Sequence, residues 1–195
     1  MSTQKIQSII ESSIAVKQQY VSDAAFLEKI NTAVSLVASA FKDGFKVQFC
    51  GNGGSAADAQ HLAAEFSGRF YTDRKALPAE ALHCNTSYLT AVGNDYGYEK
   101  VFSRGIEALG KAGDVLVGFT TSGNSANVLA AFAAAKSLGI TTILLAGKDG
   151  GKARGTCDHE IIVPSDTTSR IQEIHTLVLH QWLEAIDAVD WKSIL

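Results

Sequence analysis

The residues best suited to chemistry in this sequence are two glycine-containing loops and four side chains spread over two helical segments. His61 and Glu65 stand four apart, which places an imidazole and a carboxylate on one helix face. Just upstream, GNGGS (residues 51–55) sets Gly51, Gly53 and Gly54 where the backbone can take positive φ and come close to a ligand. Ser55 and Asp58 have the spacing of a capping box, so a helix is expected to begin there. A helix N-terminus beside a glycine turn offers free N–H groups to an anion. A second loop, TTSGNS (120–125), adds the hydroxyls of Thr120, Thr121, Ser122 and Ser125, which suit the acceptor oxygens of a phosphate monoester. Gln172 and His180 lie on a long helical segment near the end of the chain.

Each feature has a plainer reading. GNGGS matches neither the dinucleotide fingerprint nor the P-loop with its Lys, and equally suits an ordinary strand-to-helix turn. His61 and Glu65 could be a solvated helix pair, and TTSGNS a hydroxyl-rich cap. Gln172, three after Ser169, could close a helix start, and His180 could be a packed core histidine. It is their combination that favours a site.

The elements around these residues alternate. Residues 4–20 carry an approximate helical stripe. Ser22 and Asp23 start a second helix, with Leu27, Ile30, Val34, Val37 and Phe41 on one face and Gly44 placed to end it. KVQFC (46–50) is a short apolar strand. Residues 80–84 read as strand, followed by helix through Leu89, Ala91 and Val92, and GNDYGYEKVF (93–102) reads on its own as a surface loop. DVLVGF (114–119), TTILLAG (141–147) and HEIIVP (159–164) are apolar strands of the buried parallel kind. NVLAAFAAAKSLG follows TTSGNS as a helix, GKDGGKARGTCD holds at most one helical turn, and a long helix runs from about 169 to 188. Strand–helix alternation implies an α/β fold, a doubly wound parallel sheet flanked by helices, in one domain spanning 1–195, with N-terminal helices in 1–44 and the α/β core in 45–195. Ligands in such sheets sit beyond the carboxyl ends of the strands at the switch point, where both loops are expected.

Composition narrows the functional classes. With 195 residues, 46% hydrophobic and 19% charged, the chain suits a globular domain with a sizeable core. A formal net charge of −3 argues against a nucleic-acid surface. No run approaches a membrane-spanning length of apolar residues, and the N-terminus lacks a signal-peptide core. Cys50, Cys84 and Cys157 form no C-x-x-C pair, so reduced thiols in a cytoplasm are expected.

Taken together, GNGGSAADAQHLAAEFSGRF, LTAVGNDYGYEKVF, TTSGNS and SRIQEIHTLVLH resemble the sugar isomerase (SIS) domains of the phosphoheptose isomerase type, over nearly the whole chain. The resemblance implies an SIS fold and an aldose–ketose isomerase that converts sedoheptulose 7-phosphate to D-glycero-D-manno-heptose 7-phosphate, toward lipopolysaccharide heptose. It also implies a cytoplasmic homotetramer with one zinc ion per subunit. By motif, the metal ligands would be His61, Glu65, Gln172 and His180. The substrate contacts would be Asn52, Gly53, Gly54, Glu65, Asn94, Asp95, Thr120, Thr121, Ser122, Ser125 and Gln172, which turns GNDYG from surface loop into site wall. Thr120 stands where many relatives have Ser, with the hydroxyl kept.

An enediol route needs a base for the carbon-bound proton and an acid or shuttle between the two oxygens. Glu65 is assigned the first role and His180 the second. Eight helical residues, a rise of about 12 Å and a rotation of about 80°, separate Gln172 from His180. The two would therefore reach one ion only by stretching, which leads to the expectation of a site at a subunit interface with one ligand from a neighbouring chain. His175, His83 and His159 are read as structural, and Arg69 as either solvated or an anion contact. The alternatives are a non-catalytic SIS adaptor of the kind that associates with the DnaA initiator, an isomerase of another sugar phosphate, and a sugar-phosphate sensor.

Overall fold

The computed structural model describes residues 2–191. Two helices open it, α1 (Thr3–Val21) and α2 (Ala24–Lys42), capped by the side chains of Ser2 and Asp23. The chain leaves α2 through Gly44 at φ 76°, a conformation that glycine takes without strain. The α/β part follows as β1 (Val47–Gly51), α3 (Gly54–Ser67), β2 (Ala79–Ala81), α4 (Thr86–Tyr96), α5 (Ser103–Leu109), β3 (Val115–Thr120), α6 (Ala126–Ser137), β4 (Thr141–Gly147), β5 (His159–Val163) and α7 (Thr168–Asp187). All strand pairs are parallel and the order is β2-β1-β3-β4-β5, the doubly wound sheet expected from the alternation.

Strand alternation divides the core. Val115, Val117 and Phe119 of β3 face one layer with Phe41, Leu62, Phe66 and Trp182, which come from α2, α3 and α7. Leu116 and Leu144 face the other layer, where Ile106, Val128 and Phe132 from α5 and α6 pack. By length and hydropathy α2 could cross a membrane, and it is the one described helix that could. Its face of Phe26, Ile30, Ala33, Val37 and Phe41 is buried instead in the first layer, as in a core helix.

Three expectations are corrected. Ser55 and Asp58 do not form a capping box. Gly53 at φ 58° starts α3 earlier, no side chain caps it, and Asp58 sits inside the helix bonded to Thr176. Residues 93–96 are not loop, because α4 continues through Gly93, Asn94 and Asp95 to Tyr96, stopping at Gly97 with φ 84°. Gln172 does not close a helix start either: the cap position of α7 is Thr167, which leaves Gln172 in the helix body. The short helix α5 had no sequence signal of its own, since seven residues carry too little periodicity.

Candidate active site

The strand order reverses between β1 and β3, so the loops leaving those two strands flank the switch point. They are joined across it. Asn52 Nδ2 donates to Asn127 Oδ1 and Asn127 Nδ2 donates to Asn52 Oδ1, both at 2.9 Å. Asn127 is buried in the first turn of α6, and its Oδ1 also accepts from the Val128 N–H at 3.0 Å. Tyr98 adds a third strut, its hydroxyl donating to Asn52 Oδ1 at 3.2 Å. Asn52, Tyr98, Glu99, Ser125, Ala126 and Asn127 line an open cavity of about 430 Å³.

Of the hydroxyl residues in the second loop, Ser125 lines this cavity. Thr120 Oγ1 and Ser125 Oγ lie 3.0 Å apart, and Ser122 Oγ accepts from the Asn124 N–H at 3.2 Å. Gly123 takes φ 66° and lies so close to the backbone of Gly150 that no Cβ would fit. Neither α3 nor α6 has a side-chain cap, so both helix starts keep N–H groups available to an anion beside the cavity. Asn94 and Asp95 lie exposed at the end of α4, Asn94 donating to Asp95 at 2.8 Å.

Helices α3 and α7 lie side by side and match turn by turn. Gln172 covers the start of α3, where a Cβ on Gly54 would lie 2.5 Å from its Nε2. One turn on, Thr176 Oγ1 donates to Asp58 Oδ1 at 2.9 Å. A further turn on, the rings of His180 and His61 meet edge to face with centroids 5.4 Å apart. His61 Nε2 stands 3.5 Å from Glu65 Oε1, looser than a good hydrogen bond, so the nitrogen and the carboxylate keep capacity for a ligand. Phe70 also stacks on His180, with ring centroids 6.2 Å apart. His61 and Glu65 side chains are 40% and 28% exposed, open enough to be reached.

Burial pushes the Asp58 carboxyl above its usual range, against the opposing pull of the Thr176 hydrogen bond and the nearby His61. Its Oδ2 has no partner. His175 is the packed core histidine of this helix, fully buried, with Nε2 donating to the Ala146 carbonyl. Desolvation lowers it to about 4, which keeps it neutral. His159 bonds the Lys29 carbonyl, and Arg69 is exposed.

One chain therefore gathers His61, Glu65 and His180, while Gln172 stands apart, two turns back beside Gly54. Two imidazoles and a carboxylate are donors of the zinc type. Among the described residues, however, no group of three or more His, Cys, Asp and Glu lies close enough to hold an ion. Asn127, Tyr98 and Phe70 were not singled out in the sequence reading, and Asp58 was read there only as part of a capping box. Asn127 and Asp58 sit inside helices, where a short polar residue gives no signal until its partner is known. A larger cavity, about 580 Å³ against Ala63, Ala64, Ala81 and Tyr88, has none of these groups in its lining.

A parallel sheet with two polar glycine loops at its switch point and an imidazole–carboxylate cluster behind them defines an α/β protein built to handle a phosphorylated small molecule. Residues 10–147 match the SIS domain family. A phosphoheptose isomerase of Clostridium acetobutylicum is 54% identical over 175 residues, spanning 90% of this chain and 89% of that protein. One from Campylobacter jejuni is 49% identical over 181 residues, spanning 92% and 97%. The phosphoheptose isomerase structure from Francisella tularensis superposes with a TM-score of 0.92 at 37% identity, covering 97% of this chain and all of that one. The one from Neisseria gonorrhoeae gives 0.88 at 44%, covering 95% and 98%. The chain belongs to the SIS domain family, among the phosphoheptose isomerases.

Proposed function

We propose that this protein interconverts sedoheptulose 7-phosphate and D-glycero-D-manno-heptose 7-phosphate through an enediol, in the cytoplasm, for lipopolysaccharide heptose. The observation that carries the reading is the meeting of His61 and Glu65, 3.5 Å apart on the helix that starts at the anion-ready loop, with His180 of α7, whose ring lies 5.4 Å from that of His61.

The phosphate sits against the uncapped starts of α3 and α6 and the hydroxyls of Thr120, Thr121, Ser122 and Ser125. Asn52, Gly53 and Gly54 line one side of the sugar, with Asn94 and Asp95 approaching from the α4 end and Gln172 from α7. Glu65 takes the proton from C1 of the ketose and returns it to C2. His180 carries the proton between O1 and O2, with Phe70 and His61 fixing its ring. Zinc, one ion per subunit, suits the donor types of His61, Glu65, His180 and Gln172, which would have to draw closer than they stand in the single chain to hold it, and it would polarise the carbonyl. Titration calorimetry of the metal-stripped chain with zinc tests this without reference to activity.

Self-association is part of the proposal. Ile6, Ile9, Ile10 and Ile14 of α1 are 40–53% exposed in a single chain, an apolar stripe that supports a homotetramer with its sites near subunit interfaces. Sedimentation at several concentrations tests it. The catalytic reading is tested by incubation with sedoheptulose 7-phosphate in deuterated water. Formation of an aldoheptose phosphate, with deuterium at C2 where the base exchanges with solvent, is expected. No turnover with zinc supplied would remove the assignment.

A further inference from the structure

At the far end of α3 and α7 from the phosphate loops lies an ion pair that none of the roles above uses. Arg74 Nε and Asp187 Oδ1 are 2.8 Å apart, with side chains only 3% and 5% exposed. The rest of the guanidinium turns toward α3. Its two terminal nitrogens donate to the main-chain carbonyls of Phe66 and Glu65, each at 2.9 Å, and one also reaches the Lys75 carbonyl at 3.3 Å. Asp187 is the last residue of α7, and its second oxygen accepts the N–H groups of Tyr71 and Thr72, both at 2.8 Å.

Those bonds end on main-chain atoms next to the two groups that the reaction needs. The Glu65 carbonyl is held directly, which fixes the helix turn that aims its carboxylate. The Tyr71 and Thr72 amides follow Phe70, whose ring stacks on the His180 imidazole at 6.2 Å and 25°. His180 itself precedes Asp187 by about two helical turns on the same face of α7. A buried ion pair is a poor stabiliser compared with apolar packing of the same volume, so stability alone is a weak account of it.

The geometry points to Arg74 and Asp187 as a positioning pair for the isomerisation, holding both the α3 turn that bears Glu65 and the Phe70 wall behind His180. This rests on the reading of Glu65 and His180 as base and acid. Arg74 and Asp187 are buried and bonded to each other and to the main chain, which suits positioning and not contact with substrate. Their effect falls on the alignment of the two reacting groups, and misplacement on the scale of an ångström is enough to slow proton transfer.

Two variants test it. Arg74→Lys keeps a cation for Asp187 but has no planar fork to reach two carbonyls at once. Asp187→Asn removes the charge that pairs with Arg74 and leaves Phe70, Glu65 and His180 in place, so it decides the matter if the lysine variant does not fold. With sedoheptulose 7-phosphate as substrate, each lowers kcat about ten- to a hundredfold. KM stays within about twofold, because the phosphate loops lie at the other end of α3. The imidazole C–H resonances of His180 shift in both variants. A kcat that follows only the folded fraction in thermal melts, with those resonances unmoved, would overturn the proposal and leave a structural prop. An inactive wild-type chain would overturn the functional reading itself, a separate result seen before any variant is compared.

Discussion

Two strand–loop–helix units, β1–α3 and β3–α6, flank one crevice with loops of similar make-up. Past the loops they diverge. Helix α6 buries Val128, Ala131, Phe132 and Ala135 against the sheet, and the only polar residue it brings to the crevice is Asn127. Helix α3 buries Ala59, Leu62 and Phe66 in the same manner but also presents Asp58, His61 and Glu65 along a second face. The difference lies in what lies alongside. Helix α7 runs beside α3 and supplies Gln172, Thr176 and His180 at matching turns, so polar groups on that face find partners. A polar stripe without such a companion would be solvated surface. On the proposed reading, one unit supplies grip alone while the other supplies grip and chemistry.

The largest effect should come from the chemical half. Glu65→Gln keeps size and hydrogen-bonding capacity but removes the base, so kcat/KM should fall on the order of a thousandfold. Binding of the sugar phosphate, followed by calorimetry, should persist, because the loops are untouched. A similar fall for Ser125→Ala would break the proposed division of labour.

The next test addresses the joint between the two units. Asn127→Leu removes the partner of Asn52 Nδ2, leaves Asn52 Oδ1 with the Tyr98 hydroxyl alone, and strands the buried Val128 N–H. The expected cost is about 2 kcal/mol of stability, read from chemical denaturation. KM should rise more than kcat falls, since the loops share the phosphate and Glu65 stays in place.

A pH test separates α7 from both units. His175 anchors that helix to the Ala146 carbonyl and lies against Phe119, at the end of the second unit's strand. Its folded pKa is lowered to about 4 by burial, below its ordinary value near 6.5. The unfolded chain therefore binds the proton first. The contribution to stability is complete above about pH 6.5 and is lost as pH falls toward 4. Between about pH 7 and pH 5 this amounts to about 2 kcal/mol. His175→Gln, which can still donate to the Ala146 carbonyl, should lose that much less over the same range in parallel melts. Equal losses would locate the acid sensitivity elsewhere.

Much of this arrangement was legible in the sequence, and the rest was hidden for physical reasons. Continuous apolar runs such as DVLVGF and TTILLAG declared the parallel strands, and β3 and β4 fall on them. The four-residue spacing of His61 and Glu65 needed only helix geometry. The end of α4 was hidden because Gly93, Asn94 and Asp95 have the chemistry of a loop, and packing overrides that local preference. Asn127, Phe70 and Arg74 were hidden for another reason, since each works through a partner distant in sequence. The interface expectation rested on the 172–180 separation along one helix. In the single chain that separation leaves Gln172 beside Gly54 at the loop and His180 beside His61, two turns on.

The smallest and sharpest test acts where the two functions of α3 meet. A methyl on Gly54 would lie 2.5 Å from the Gln172 amide, at the far end of a flexible side chain that can move aside. Alanine also suits a helix better than glycine, so Gly54→Ala should leave stability within about 1 kcal/mol of the wild type. What it displaces is Gln172, and with it the contact between the phosphate loop and α7. If Gln172 serves substrate, KM should rise about three- to tenfold while the zinc affinity set by His61, Glu65 and His180 stays unchanged. If zinc affinity falls along with KM, Gln172 belongs with the metal ligands, and the boundary between gripping and reacting residues shifts one turn toward the start of α3.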